Sequence, residues 1–529
     1  MRSAALVAFL WITAAAAANP PADLVLRGGD ILTQDAAHPH ARALAVRGGL
    51  IVAVGDAVDA LVGPKTRVIE LNGRAVVPSL TDAHAHLINL GIARNQVELR
   101  GCKSADDCAG RIARDTHPRR GDWRLGRGWD QNLFPDKEFP IHSALDKLTG
   151  PVWVRRVDGH AGWANAAAMR LAGITRRTED PPGGRLVRDA GGEPTGIFVD
   201  NAMSLVGRAV PQPGPGDIEA AILRGQELAL AEGLTEIHEM GIPLESAEAY
   251  RRLDGSGKLH LRVYALGAQD EADRLLAHPP APSNPGAMFT FRGIKLYADG
   301  ALGSRGAALL APYSDDAQNR GLVITDEPAL EKLSRAALAS GWQVAVHAIG
   351  DRANRNVLDA FEKAQASPAQ RFRIEHAQVV APEDFPRFAR LGVIASMQPT
   401  HAQSDAPWAE QRLGPERVRG AYAWRRMLEA GARLAFGSDF PVEEPSAVDG
   451  FRAAVERGGW TVEQKLTLDE TLRAFTDGAA FAAFEEGWRG RAAPGMAADL
   501  TIFDRPAAGL LRARVDATVV GGKVVYERR

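Results

Sequence analysis

Short apolar runs of strand length recur through the middle of this chain, with helical stretches between them. The runs are Leu80 to His86, Leu234 to His238, Leu261 to Ala265, Phe291 to Tyr297, Val344 to His347, Arg373 to His376, Val393 to Met397 and Leu434 to Phe436. Ile218 to Ala231, Glu327 to Ala339, Ala353 to Ala364 and Trp424 to Glu429 carry helical spacing between them. Adjacent parallel strands need a long crossover connection, usually a helix. The alternation therefore predicts a parallel α/β structure, and this many units predicts a (β/α)8 barrel.

The two chain ends have a different texture. Leu24 to Gly29, Ala43 to Gly55 and Val68 to Val77 read as strands and turns, with hairpins expected about Gly48-Gly49 and Gly73. Ala498 to Asp504 reads as a strand and Ala517 to Tyr526 as a hairpin about Gly521-Gly522. Residues 19–77 and 490–529 are thus expected to form one small β-sandwich, with the barrel filling 78–489 between them. A long insert rich in Gly, Pro, Arg and Trp, about residues 101–210, follows the first barrel strand. Loops this long in compact enzymes are lids or binding walls, unless they are structural padding.

Met1-Arg2-Ser3 and the apolar run Ala4 to Ile12 lead into small residues up to Ala18, the pattern of a secretory signal peptide over residues 1–18. The apolar stretch is short for a bilayer span, so export, to the periplasm in a Gram-negative cell, is expected over a retained anchor. In such a compartment Cys102 and Cys108 can form a local disulfide; the spacing alone also allows two free thiols. With 63 basic and 65 acidic residues, the chain lacks the charge excess of a nucleic-acid binder.

In a barrel of this kind the reactive groups sit at the C-terminal ends of strands. Metal-type residues here cluster at those ends. Asp82, His84 and His86 alternate onto one face of the first strand. His347 closes Val344 to His347, His376 closes Arg373 to His376, and Asp439 follows Leu434 to Phe436. Imidazoles and a carboxylate suit one or two divalent transition metals, including zinc, iron, manganese and cobalt. Chance yields His-x-His pairs among 13 histidines, so the recurrence in chain order carries the reading. Lys295 lies in an apolar strand, where burial favours its neutral amine. Such an amine beside metals can add carbon dioxide and bridge a metal pair as a carbamate; otherwise Lys295 is a snorkelling or salt-bridged lysine.

Taken together the motifs resemble those of the amidohydrolase superfamily, in its amidohydrolase-3, YtcJ-like branch. They are Asp82-Ala83-His84-Ala85-His86, Gly128-Trp129-Asp130-Gln131, Arg156-Val157-Asp158-Gly159-His160, Lys295 to Ser304, His347 to Asp351, Glu375-His376-Ala377 and Gly437 to Pro441. The resemblance spans nearly the whole chain after residue 18, although Ser79-Leu80-Thr81 stands where Gly-Phe-Ile is more usual. It implies a metal-dependent hydrolase on a distorted (β/α)8 TIM barrel, with His84 and His86 on a first metal, His347 and His376 on a second and Lys295 as carboxylated bridge. Asp439 would be the last ligand and the proton shuttle, and Asp82 a support for its strand. A homodimer is implied only at the level of the family. Trp129, Arg156, His160 and Trp163 from the insert, and His238, Arg305 and Gln398 from barrel strand ends, are candidates for the substrate pocket. The expected reaction is hydrolysis of an amide or N-acyl C–N bond in a small molecule by metal-activated water. Ester or cyclic-amide hydrolysis, deamination, and a non-catalytic exported binding protein are the alternatives.

Overall fold

The computed structural model describes residues 20–529, so the expected signal peptide lies outside the described residues. Its centre is a barrel of parallel strands: β1 (Thr81–Ala85), β2 (Glu236–Ile242), β3 (Arg262–Gly267), β4 (Phe289–Tyr297), β5 (Gln343–Ala348), β6 (Arg373–His376), β7 (Ile394–Met397) and β8 (Arg433–Phe436). Each pairs with the next in chain order from β1 to β8. The strands are buried almost throughout, as near-continuous apolar runs covered on both faces should be. The second strand runs on to Ile242, past the expected end at His238. Glu239 can stay buried there because its carboxylate accepts the N–H groups of Leu87 and Ile88.

The ring closes by individual contacts between β1 and the end of β8. The Asp439 amide donates to the His84 carbonyl (2.8 Å), and the His86 amide donates to the Phe440 carbonyl (2.9 Å). The Asp82 carboxylate accepts from the Ser438 hydroxyl (2.6 Å) and, through both oxygens, from the Ser438 amide. A Cβ at Gly437 would lie 2.4 Å from Asp82 Oδ1 and 2.5 Å from the His84 nitrogen, so only glycine permits this approach.

The two chain ends form a separate eight-stranded sheet, joined where Ala75–Pro78 pairs antiparallel with Leu500–Phe503. It is one continuous, branched ladder. The hairpins about Gly48-Gly49 and Gly521-Gly522 form. The one expected about Gly73 does not: Arg67–Glu70 and Ala75–Pro78 both run parallel to Leu24–Leu32, on either side of its register break between Arg27 and Ile31. The turn at Gly73 (φ 83°) thus carries the chain along one strand instead of back on itself.

The insert is a folded unit with a six-stranded sheet and its own apolar core. Trp129 and Trp163 are fully buried in that core, their indole N–H groups bound to the carbonyls of Val154 (3.1 Å) and Ile141 (3.3 Å). Cys102 and Cys108 are joined there by a disulfide, with Cα atoms 5.5 Å apart. Among the described residues no helix is long and apolar enough to cross a membrane.

Candidate metal centre

At the C-terminal mouth of the barrel, imidazoles from several strand ends converge. The His84 and His376 ring centroids are 4.7 Å apart, those of His347 and His376 4.5 Å, and those of His84 and His86 5.6 Å. Donor atoms of His84, His86 and Asp439 lie within 4.8 Å of one another, and so do those of His376, His401 and Asp439. Asp439 is common to both triads. Its backbone (φ 60°) and that of His376 (φ 72°) are left-handed, a costly conformation for non-glycine residues that recurs where a site dictates side-chain direction.

Hydrogen bonds behind the cluster aim the rings. His84 Nδ1 donates to Glu375 Oε2 (2.6 Å), which leaves Nε2 facing Asp439. His376 Nδ1 bonds Gln398 Oε1 (2.8 Å), freeing its Nε2 in the same way. Glu375 is held by Arg373 (2.7 Å), which also donates to the Ala83 carbonyl, Ser396 Oγ and His238 Nδ1. Such second contacts fix the tautomer and direction of metal-binding histidines.

The electrostatics suit a cation. Burial, then the charge of Lys295, lowers the His84 pKa to about 4, and burial holds His347 and His376 well below the ordinary histidine value. All three are neutral, with lone pairs to give. Burial alone would raise the Asp439 pKa, but His84, His401 and His86 outweigh it and keep the carboxylate ionised. Lys295 Nζ and Asp439 Oδ1 are buried at the centre without a hydrogen-bond partner. Burial lowers the Lys295 pKa to about 8. Neutral imidazoles, an ionised carboxylate and two orphaned polar atoms fit a divalent transition metal.

Two cavities, of about 290 and 600 Å³, meet over His160, His347, His376 and Asp439. Of the candidate pocket residues, Arg156 and His160 line both arms. Arg156 is held by Asp130, Asp158 and Gln131, and His160 Nδ1 by Asp200 (2.6 Å). The others lie elsewhere. Trp129 and Trp163 pack the insert because their rings complete its core. His238 sits beneath the floor as an acceptor for Arg373, Gln398 stands behind His376, and Arg305 turns to Asp315 (3.0 Å).

A further histidine, His401, joins the cluster. It falls four residues beyond β7, in a short helix, and the strand-end rule that selects the other ligands reaches it. Its Nε2 lies 3.4 Å from Asp439 Oδ2 and its Nδ1 3.3 Å from Glu443 Oε1. Burial would lower its pKa, but these two carboxylates raise it to about 10.

Comparison with known proteins agrees with this geometry. The model of the Amidohydrolase family matches residues 67–526. Protein LONG AFTER FAR-RED 3 of Arabidopsis thaliana is 36% identical, over 96% of this chain and 93% of its own length. The YtcJ protein of Bacillus subtilis is 34% identical, over 88% and 91%. An N-substituted formamide deformylase of Arthrobacter pascens is 28% identical, over 96% and 98%. Among solved structures, a metal-dependent hydrolase from Pyrococcus horikoshii superposes with a TM-score of 0.75 at 29% identity, covering 95% of this chain and all 100% of that one. The chain belongs to the amidohydrolase family and is a metal-dependent amidohydrolase.

Proposed function

We propose that the protein hydrolyses an amide or N-acyl C–N bond of a small molecule, with Asp439 moving the proton. The observation that carries this is the position of Asp439, shared by both donor triads and facing both cavity arms. His84, His86, His347, His376 and Asp439 would hold the metal, with His401 beside them; zinc is the proposed ion, one or two per chain. When bound, such an ion polarises a carbonyl and makes a neighbouring water more acidic. Asp439 accepts the proton of the attacking water and passes it to the leaving nitrogen as the C–O bond forms and the C–N bond breaks. His401, fixed between Asp439 and Glu443, keeps that carboxylate in place. The formamide-cleaving relative supports C–N hydrolysis. The Cys102–Cys108 disulfide supports the proposed export to an oxidising compartment.

Metal-replete protein should turn over at least one class in a panel of N-acyl amino acids, N-substituted formamides and dipeptides. No turnover across the panel would favour a binding protein on an enzyme scaffold.

Lys295 is proposed to be carboxylated. Its amine would add carbon dioxide with loss of a proton, giving a carbamate able to bridge two ions and ending the isolation of Nζ. Wild-type protein prepared with 13C-bicarbonate should show a carbamate carbon resonance that Lys295→Met lacks, and the variant should hold less metal by elemental analysis. Equal metal content and equal turnover in the two proteins would overturn this.

A further inference from the structure

The larger cavity arm holds a group of arginines that the hydrolytic chemistry leaves unused. Strands Arg124–Trp129 and Val152–Arg156 of the insert run parallel, with Arg127 directly opposite Arg155. Neighbours in a ladder project from the same face of the sheet. Here that face, with Leu125 and Trp153, forms a wall of the arm that leads to His86 and Lys295. Arg120 lines the same arm. Like charges placed opposite each other across a ladder are destabilising unless something neutralises them.

Among the described residues none of the three guanidiniums forms an ion pair. Arg127 is only 9% exposed, and its one hydrogen bond from the guanidinium goes to the Val157 carbonyl at 3.3 Å. Burial lowers its pKa to about 10, so it stays charged at neutral pH. Glu98 and Glu444 lie near enough to favour its charge, but neither forms an ion pair with it, and Glu444 pairs with Arg94 (3.9 Å). Glu98, its ladder neighbour on the other side, accepts the Arg100 amide (2.7 Å), and Asp158 pairs with Arg156. Glu239 accepts the amides of Leu87 and Ile88, which leaves Glu245 as an exposed acid at the rim. A nearly buried guanidinium without an ion-pair partner, doubled by a second one across the ladder, is a site suited to an anion from outside the chain.

We infer that this arm binds a carboxylate carried by the substrate, which makes the preferred substrates acidic amides such as N-acyl amino acids. The inference rests on the hydrolase reading only in taking the cavity as the substrate site. Arg127 and Arg155 would receive the carboxylate while the scissile bond lies over the histidine cluster.

The test is calorimetric titration of the full-length, metal-replete protein with hexanoate and with hexanol, for wild type, Arg127→Gln and Arg155→Gln. Hexanoate should bind more tightly than hexanol, and each substitution should weaken hexanoate binding by about tenfold, the loss of one charge-assisted contact. Arg155 is exposed, so R155Q keeps the test valid should R127Q fail to fold. Hexanoate that binds all three proteins equally is sitting on the metal and overturns the inference, as does an absence of preference over hexanol. Hexanoate binding that depends on the arginines, in a protein silent on the hydrolysis panel, overturns the hydrolase reading and leaves the anion site standing.

Discussion

Asp439→Asn lowers kcat by about 10²- to 10⁴-fold, the range typical of a lost general acid–base, while the protein keeps most of its metal. The carboxamide retains an oxygen donor of similar size and position, so the donor triads with His84 and His86 and with His376 and His401 keep their shape. It cannot accept and return a proton at neutral pH. The measurement pairs steady-state kinetics with elemental analysis on one preparation. Near-wild-type turnover would remove Asp439 from the mechanism. Loss of metal in proportion to loss of activity would reduce it to a ligand.

Glu375→Gln is expected to destabilise the fold by about 3–5 kcal/mol, the usual cost of removing one partner of a buried ion pair. Arg373 and Glu375 are both fully buried, and no water can replace the lost charge. The same change loosens His84, whose Nδ1 depends on Glu375, and should weaken metal binding about 10- to 100-fold. The pH dependence has a definite sign. Burial alone would raise the Glu375 pKa, but Arg373 and His84 outweigh it and hold it well below the ordinary value. A carboxylate depressed in the folded state contributes stability that is complete above its unfolded pKa of about 4.3 and is lost as pH falls toward the folded value. The stability gap between wild type and variant should therefore be flat near neutrality and close below about pH 4. Chemical denaturation across that range measures it; a gap that persists unchanged at low pH would mean that Glu375 acts through packing and not through charge.

The barrel was legible because its strands are buried on both faces, and such strands leave apolar runs that local sequence reading detects. His84, His86, His347, His376 and Asp439 were legible for a related reason: the strand ends place them, and the strands could be located. Trp129 and Trp163 misled because a large aromatic in a loop-rich segment looks like a pocket wall when the sheet and core that surround it cannot be seen. The Gly73 turn misled because a hairpin and a lateral step both begin with a glycine of positive φ, and only strand pairing tells them apart. Arg127 and Arg155 were invisible as a pair. They lie 28 positions apart, and the ladder alone brings them side by side.

The contact of Asp82 with Ser438 spans 356 positions, which bears on the order of events during synthesis. His84 and His86 leave the ribosome early, yet the carboxylate that completes their triad arrives only when most of the chain has been made. An unfinished chain offers a metal two imidazoles from this strand and no closed ring to hold them. The metal site and the ring are thus completed together, and a product truncated before Asp439 should hold less metal than the full chain.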